Sequence, residues 1–276
     1  MPRENTFLPP GLLERLTKQE EEGHDLLLES LLWRGFLVGR DADGELGLYR
    51  GSHEQDSGTL RRCGLTTRDI STGEWCALID SLDDPITPNV EQRLLDTPPK
   101  QSGMIGALMQ NENESSFFRC QYGAKVPTAY LDPGIALMVK VLPVCGLRTV
   151  HSCQGRHAAN RPAWPEINFH SKYDLKWATM IFEELASSLP AYGQLSWRVA
   201  DSGGGGWLRW KIIFRPENDD VTDDAAYWET IESIQMAARQ LLKPEVYEPI
   251  REAKASVNEF DKIRDALKER VRGLTP

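Results

Sequence analysis

A chain of 276 residues, 40% hydrophobic and 26% charged, has a soluble globular composition and length enough for one large domain or two smaller ones. Its formal net charge of -9 excludes general basicity as a source of nucleic-acid affinity, so any such contact needs a local basic face. No apolar run reaches the length of a membrane span, and Met1-Pro2-Arg3-Glu4-Asn5 lacks the charged-then-apolar pattern of a secretory leader. The expected location is cytoplasmic.

The five cysteines, Cys63, Cys76, Cys120, Cys145 and Cys153, are odd in number and widely scattered. That argues against a disulfide framework, and the absence of a C-x-x-C pair argues against a zinc ribbon.

In chain order, residues 11 to 33 read as helix, with Leu12, Leu16, Leu27, Leu31 and Leu32 on a charged background and Gly23 as a weak point. Two short apolar runs around Asp41-Ala42-Asp43-Gly44 read as a hairpin. Residues 51 to 62 are polar and read as a loop, and residues 72 to 79 as a short helix. The polar run Gln110 to Ser116 suggests an exposed linker. The expected division is 1–125, a helix and hairpin region, and 126–276, an α+β domain with a long final helix.

The second part is better patterned. Asp132-Pro133 pairs a capping carboxylate with proline at the first helical position. Ile135, Met138, Val139 and Leu142 line one face, and Pro143 with Gly146 closes the helix. Leu147 to Cys153 and Glu166 to His170 follow as strands, and Ser171-Lys172-Tyr173-Asp174 has the form of a capping box. Strands Leu195 to Ala200 and Trp207 to Phe214 flank Gly203–Gly206, and two helices end the chain. The order α-β-β-α-β-β-α-α implies an α+β fold, a small, mostly antiparallel sheet with helices on one face. A ferredoxin-like or split βαβ relative is the expectation.

Strand alternation then sorts the side chains. With helices on the apolar side, the open face collects Asn168, His170, Arg198, Arg209 and Lys211. That surface is net basic and suits a phosphate-bearing ligand or single-stranded nucleic acid, with Trp207 available for stacking. An ordinary solvated sheet face has the same pattern.

The densest chemistry lies in His151-Ser152-Cys153-Gln154-Gly155-Arg156-His157. His151, Cys153 and His157 could chelate zinc, with His170 or water as fourth ligand. Alternatively Cys153 is a nucleophile, His151 or His157 its base, and Arg156 the anchor for an anionic substrate. A third reading makes this a phosphate loop: Gly155 bends the backbone, Arg156 and backbone N–H groups bind the anion, and Cys153 is a small core residue. A glycine turn at a strand end, with one core cysteine and two exposed histidines, explains the stretch without any function.

Ser152-Cys153-Gln154-Gly155-Arg156, preceded by a helix and the strand Leu147 to Val150, resembles the S-C-x-G-R motif of the wybutosine-synthesising protein 3 family. It is also similar to S-C-x-G-H segments in uncharacterised phage and bacterial proteins. The match spans about 25 residues of the chain. The family members are tRNA methyltransferases that use S-adenosylmethionine, so the resemblance implies that Ser152, Cys153, Gly155 and Arg156 form a ligand-binding loop. In the family the motif lies near the N-terminus, whereas here some 150 residues precede it.

The sequence therefore suggests a nucleotide- or nucleic-acid-binding protein. Cys153, His151 and His157 would carry any chemistry, and Ser152, Gly155, Arg156, His170, Arg198, Arg209 and Lys211 would hold the ligand. The alternative is a non-catalytic interaction subunit of a multiprotein system, of a phage-related or defence kind, with protein partners on the N-terminal region or the final helix. No metal or cofactor is assigned.

Overall fold

The computed structural model describes residues 8–49, 54–70, 75–81, 89–97, 128–155, 164–169, 171–188, 196–201, 210–215 and 224–256. The chain divides into two compact units, Met1–Lys140 and Val141–Pro276. The division falls inside one helix, Pro133–Val144. Among the described residues there are eight α-helices and two four-stranded antiparallel sheets, an α+β fold.

The first unit begins with α1 (Leu12–Glu21) and α2 (Leu26–Arg34), separated at Gly23, whose φ of 95° suits glycine. Asp25 caps α2, its side chain accepting from the Leu28 N–H at 3.0 Å. The hairpin β1 (Val38–Arg40) and β2 (Leu46–Tyr49) follows. Asp41 closes it by accepting from the N–H groups of Asp43 and Glu45.

Next come α3 (Glu54–Arg62), β3 (Leu65–Asp69), β4 (Trp75–Ser81) and α4 (Val90–Asp96). Two expectations fail here. Residues 54 to 62 form α3 instead of a loop, because the face they bury is Asp56, Thr59 and Leu60, mostly polar and invisible to hydrophobic periodicity. Residues 75 to 81 form a strand instead of a helix. β4 is central, paired with both β2 and β3, so Ala77, Leu78 and Ile79 are all buried and no alternation survives.

The second unit takes the last turn of α5 (Pro133–Val144), then β5 (Thr149–Cys153), β6 (Glu166–Phe169), α6 (Lys172–Ser188), β7 (Trp197–Asp201), β8 (Trp210–Phe214), α7 (Asp224–Leu241) and α8 (Pro244–Ser256). Ser171 caps α6, accepting from the Asp174 N–H at 3.1 Å and donating to its carboxylate at 2.8 Å. One sheet face is apolar: Ile167, Phe169, Ile212 and Phe214 are fully buried. Phe182 of α6 meets Trp197 and Phe214 edge-on at 5.7 and 5.5 Å.

The two units repeat one topology. Strand orders are β1-β2-β4-β3 and β5-β6-β8-β7, with every neighbour antiparallel. In each, the second and third strands therefore run parallel with the fourth between them, joined through a helix. This is a split βαβ unit. The elements run β-β-α-β-β-α, one strand out of step with the β-α-β-β-α-β order of ferredoxin-like folds.

The repetition reaches individual residues. α2 ends at Gly35 and α5 leads to Gly146, with φ of 94° and 81°. The same pair of bonds closes both: Gly35 to Leu32 and Phe36 to Leu31 in one, Gly146 to Pro143 and Leu147 to Leu142 in the other. The first strand starts three residues after each glycine. Asp56 and Asp174 are each the third residue of the helix after the first hairpin, and each pairs with a lysine from the unit's last helix, Lys140 or Lys254.

Candidate functional site

The register of the second sheet fixes which side chains share a face. Facing residues across β5, β6, β8 and β7 form the row Cys153–Glu166–Ile213–Arg198 and the row His151–Asn168–Lys211–Ala200. Ser152 lies in the intervening row with the buried Ile167 and Ile212. Pleating therefore sends Cys153 and His151 to the face opposite the α6-covered side, and Ser152 to the apolar side. Ser152 and Cys153 do not converge.

On the open face His151 is exposed and its Nδ1 lies 3.3 Å from the Oδ1 of Asn168, a buried residue. Lys211 donates to Glu166 at 2.7 Å, so one of the expected cations is already neutralised by an acid on the same face. Arg198 is exposed on the edge strand. His170 and Arg209 lie outside the described residues, as do Arg156 and His157.

The strand end is held from two sides. The Gly155 N–H donates to the Cys153 sulfur at 3.3 Å, and Gly155 has φ 85°, a conformation that side-chain-bearing residues rarely adopt. The Tyr227 hydroxyl of α7 donates to the Gln154 carbonyl at 3.0 Å, fixing the backbone between the thiol and the turn. At the other end of β5, Lys254 donates to the Gly146 carbonyl and to Asp174 at 2.7 Å. Arg148 lies 3.9 Å from the same carboxylate.

Cys153 is half-exposed. Cys145 of the same unit is fully buried, and burial pushes its thiol up to about 12, opposed by the charges of Lys254 and Arg251. A sulfur nucleophile or ligand thus has one accessible position in the described part of this unit. Among the described residues no group of three or more His, Cys, Asp and Glu is placed to hold a metal ion; two ligands of the zinc reading, His157 and His170, are outside them.

Sequence reasoning missed Tyr227 and the Lys254–Asp174 pair. Tyr227 reads as one more apolar stripe residue, and only contact across the fold reveals what its hydroxyl does. Asp174 is visible as a capping residue, but nothing local signals its lysine 80 positions away.

No helix of the described residues is long and apolar enough to cross a membrane. No protein-family model, curated protein or solved structure matches the chain.

Proposed function

We propose that the open sheet face of the second unit binds a nucleotide or nucleic-acid ligand, with Cys153 and His151 as the groups available for chemistry upon it. One observation carries this reading: the strand register sets Cys153 and Arg198 in one row and His151, Asn168 and Lys211 in the next. Arg198 would meet a phosphate as a planar double donor. Lys211, partnered by Glu166, would orient more than neutralise. Gly155 supports the reading because its left-handed turn ends the strand at Cys153, and Arg156 follows directly in sequence.

For chemistry, Cys153 is the nucleophile and His151 the proton acceptor, two residues apart on one side of β5. The Gly155 N–H already donates to that sulfur, so negative charge forming there meets a donor in place.

The test is fluorescence anisotropy with labelled oligo(dT) and a labelled nucleoside triphosphate over a salt series. Binding should weaken steeply with salt, and Arg198→Ala and Arg156→Ala should each cost about tenfold at low salt. No binding by the parent protein, or binding indifferent to both substitutions, contradicts the proposal.

A further inference from the structure

The repeated topology makes the same sheet position comparable in both units. In each, the last residue of the second strand faces the first residue of the fourth, and both pairs are aromatic: Tyr49 with Trp75, Phe169 with Trp210. In the second unit the register is regular here. Phe169 is fully buried on the helix-covered face, and Lys172 of α6 lies over the Trp210 ring.

In the first unit the register shifts. Leu48 faces Ala77 but Tyr49 faces Trp75, leaving Cys76 as the extra residue of a bulge. The Cys76 thiol donates to the carbonyls of Leu48 and Tyr49, each at 3.4 Å. The register sets Gly39, Gly47, Leu78 and Arg68 in one row and the buried Val38, Leu48 and Ala77 in the next, and the rings of Tyr49 and Trp75 lie on the side of the glycines.

Those glycines leave room for the rings. A Cβ at Gly47 would sit 2.6 Å from the Trp75 ring, and one at Gly39 2.7 Å from the Tyr49 hydroxyl. The rings stack at 4.3 Å and 22°, and both residues are only half-buried. Tyr49 reaches that face by ordinary alternation from the buried Leu48, and the bulge sets Trp75 beside it, leaving a stacked aromatic pair partly open to solvent.

The surroundings set the ligand's sign. Arg68, on the same face, lies 3.8 Å from Glu45 and 4.0 Å from Asp80, and all three side chains are more than half exposed. Among the described residues here, two carboxylates stand against one guanidinium, a net acidic set, and loose, exposed pairs of this kind exchange partners readily. Aromatic faces attract cations, guanidinium most of all. A phosphate chain would meet the same set with repulsion.

We infer that the Tyr49–Trp75 face is a docking surface for a basic segment of a partner protein, an arginine laid on the stacked rings and paired with Glu45 and Asp80. This surface is independent of the proposed ligand face of the second unit.

The full chain would be titrated calorimetrically with a heptapeptide of alternating glycine and arginine, with its glutamate counterpart, and with oligo(dT). The arginine peptide should bind, weakening with salt. Trp75→Leu should reduce affinity about tenfold. Glu45→Gln combined with Asp80→Asn, both exposed and tolerant of change, should reduce it severalfold and flatten the salt dependence. Absence of arginine-peptide binding overturns the inference. So does affinity unchanged in the double variant, or a Trp75-dependent preference for oligo(dT).

Discussion

The two units share a scaffold and differ in what they place on it. The first closes its leading hairpin with Asp41 and ties Arg40 to Asp25 at 2.6 Å and to the Gly44 carbonyl at 2.6 Å, leaving no reactive group at the strand end. The second reaches the same point and presents a thiol, an imidazole and a left-handed glycine. Across the middle of the sheet the contrast reverses, with stacked aromatics in the first unit and Asn168, Glu166 and Lys211 in the second. A framework fixed by the helix–glycine cap and the aspartate–lysine pair leaves the hairpin ends and the open faces to vary.

The shared lock is also the place where the units can be set against each other most forcefully. Asp56 and Lys140 are both completely buried, with Thr128 accepting from Lys140 at 2.7 Å and donating its N–H to Asp56 at 2.8 Å. Removing one charge strands the other, so Lys140→Ala should cost about 3–5 kcal/mol in urea unfolding. Lys254 keeps some exposure, and Lys254→Ala should cost about 1.5–3 kcal/mol, the range for bonds to a charged group. An equal or reversed order would show that the two pairs are not the same device.

The capping glycines give a smaller contrast. A Cβ at Gly35 would collide with that of Ala136, whereas one at Gly146 would touch only the flexible stem of Lys254 at 3.4 Å. Both carry the left-handed penalty of about 1–2 kcal/mol, so Gly146→Ala should lose about that much and Gly35→Ala clearly more. Equal losses would mean that α5 does not pack against Gly35.

The smallest effect is in pH. The folded state holds the Cys145 thiol at about 12, while the unfolded thiol ionises near its ordinary value. A raised folded value means that this contribution is whole below about pH 8.5 and is lost as pH climbs toward 12. Between pH 8 and pH 10 the parent protein should lose about 1–2 kcal/mol more stability than Cys145→Val. A difference that does not change with pH would place that thiol in water.

Much of the second unit is legible in the sequence because its signals are local. Ser171 caps a helix, and alternation along Glu166 to Phe169 separates Asn168 from Ile167. The first unit hides its sheet. α3 buries an aspartate and a threonine where a hydrophobic stripe would be sought, and β4 is apolar on both sides. At the candidate site, alternation is enough to put Cys153 and His151 on one face. The separation of Ser152 from Cys153 follows from the same rule, although a contiguous motif invites treating the two as a unit. The bulge at Cys76 has no local sequence signature, so the outward turn of Trp75 appears only with the register.

The account rests most heavily on Cys153 lying on a ligand-accessible face, and differential alkylation tests this directly. The native protein would be treated briefly with iodoacetamide at pH 8, with and without saturating oligo(dT) or nucleoside triphosphate, and modified thiols located by peptide mass spectrometry. Cys153 should be modified well ahead of the buried Cys145, ligand should protect it, and protection should be lost in Arg198→Ala. A Cys153 that stays unmodified in the native protein, or reacts equally with and without ligand, would contradict the account.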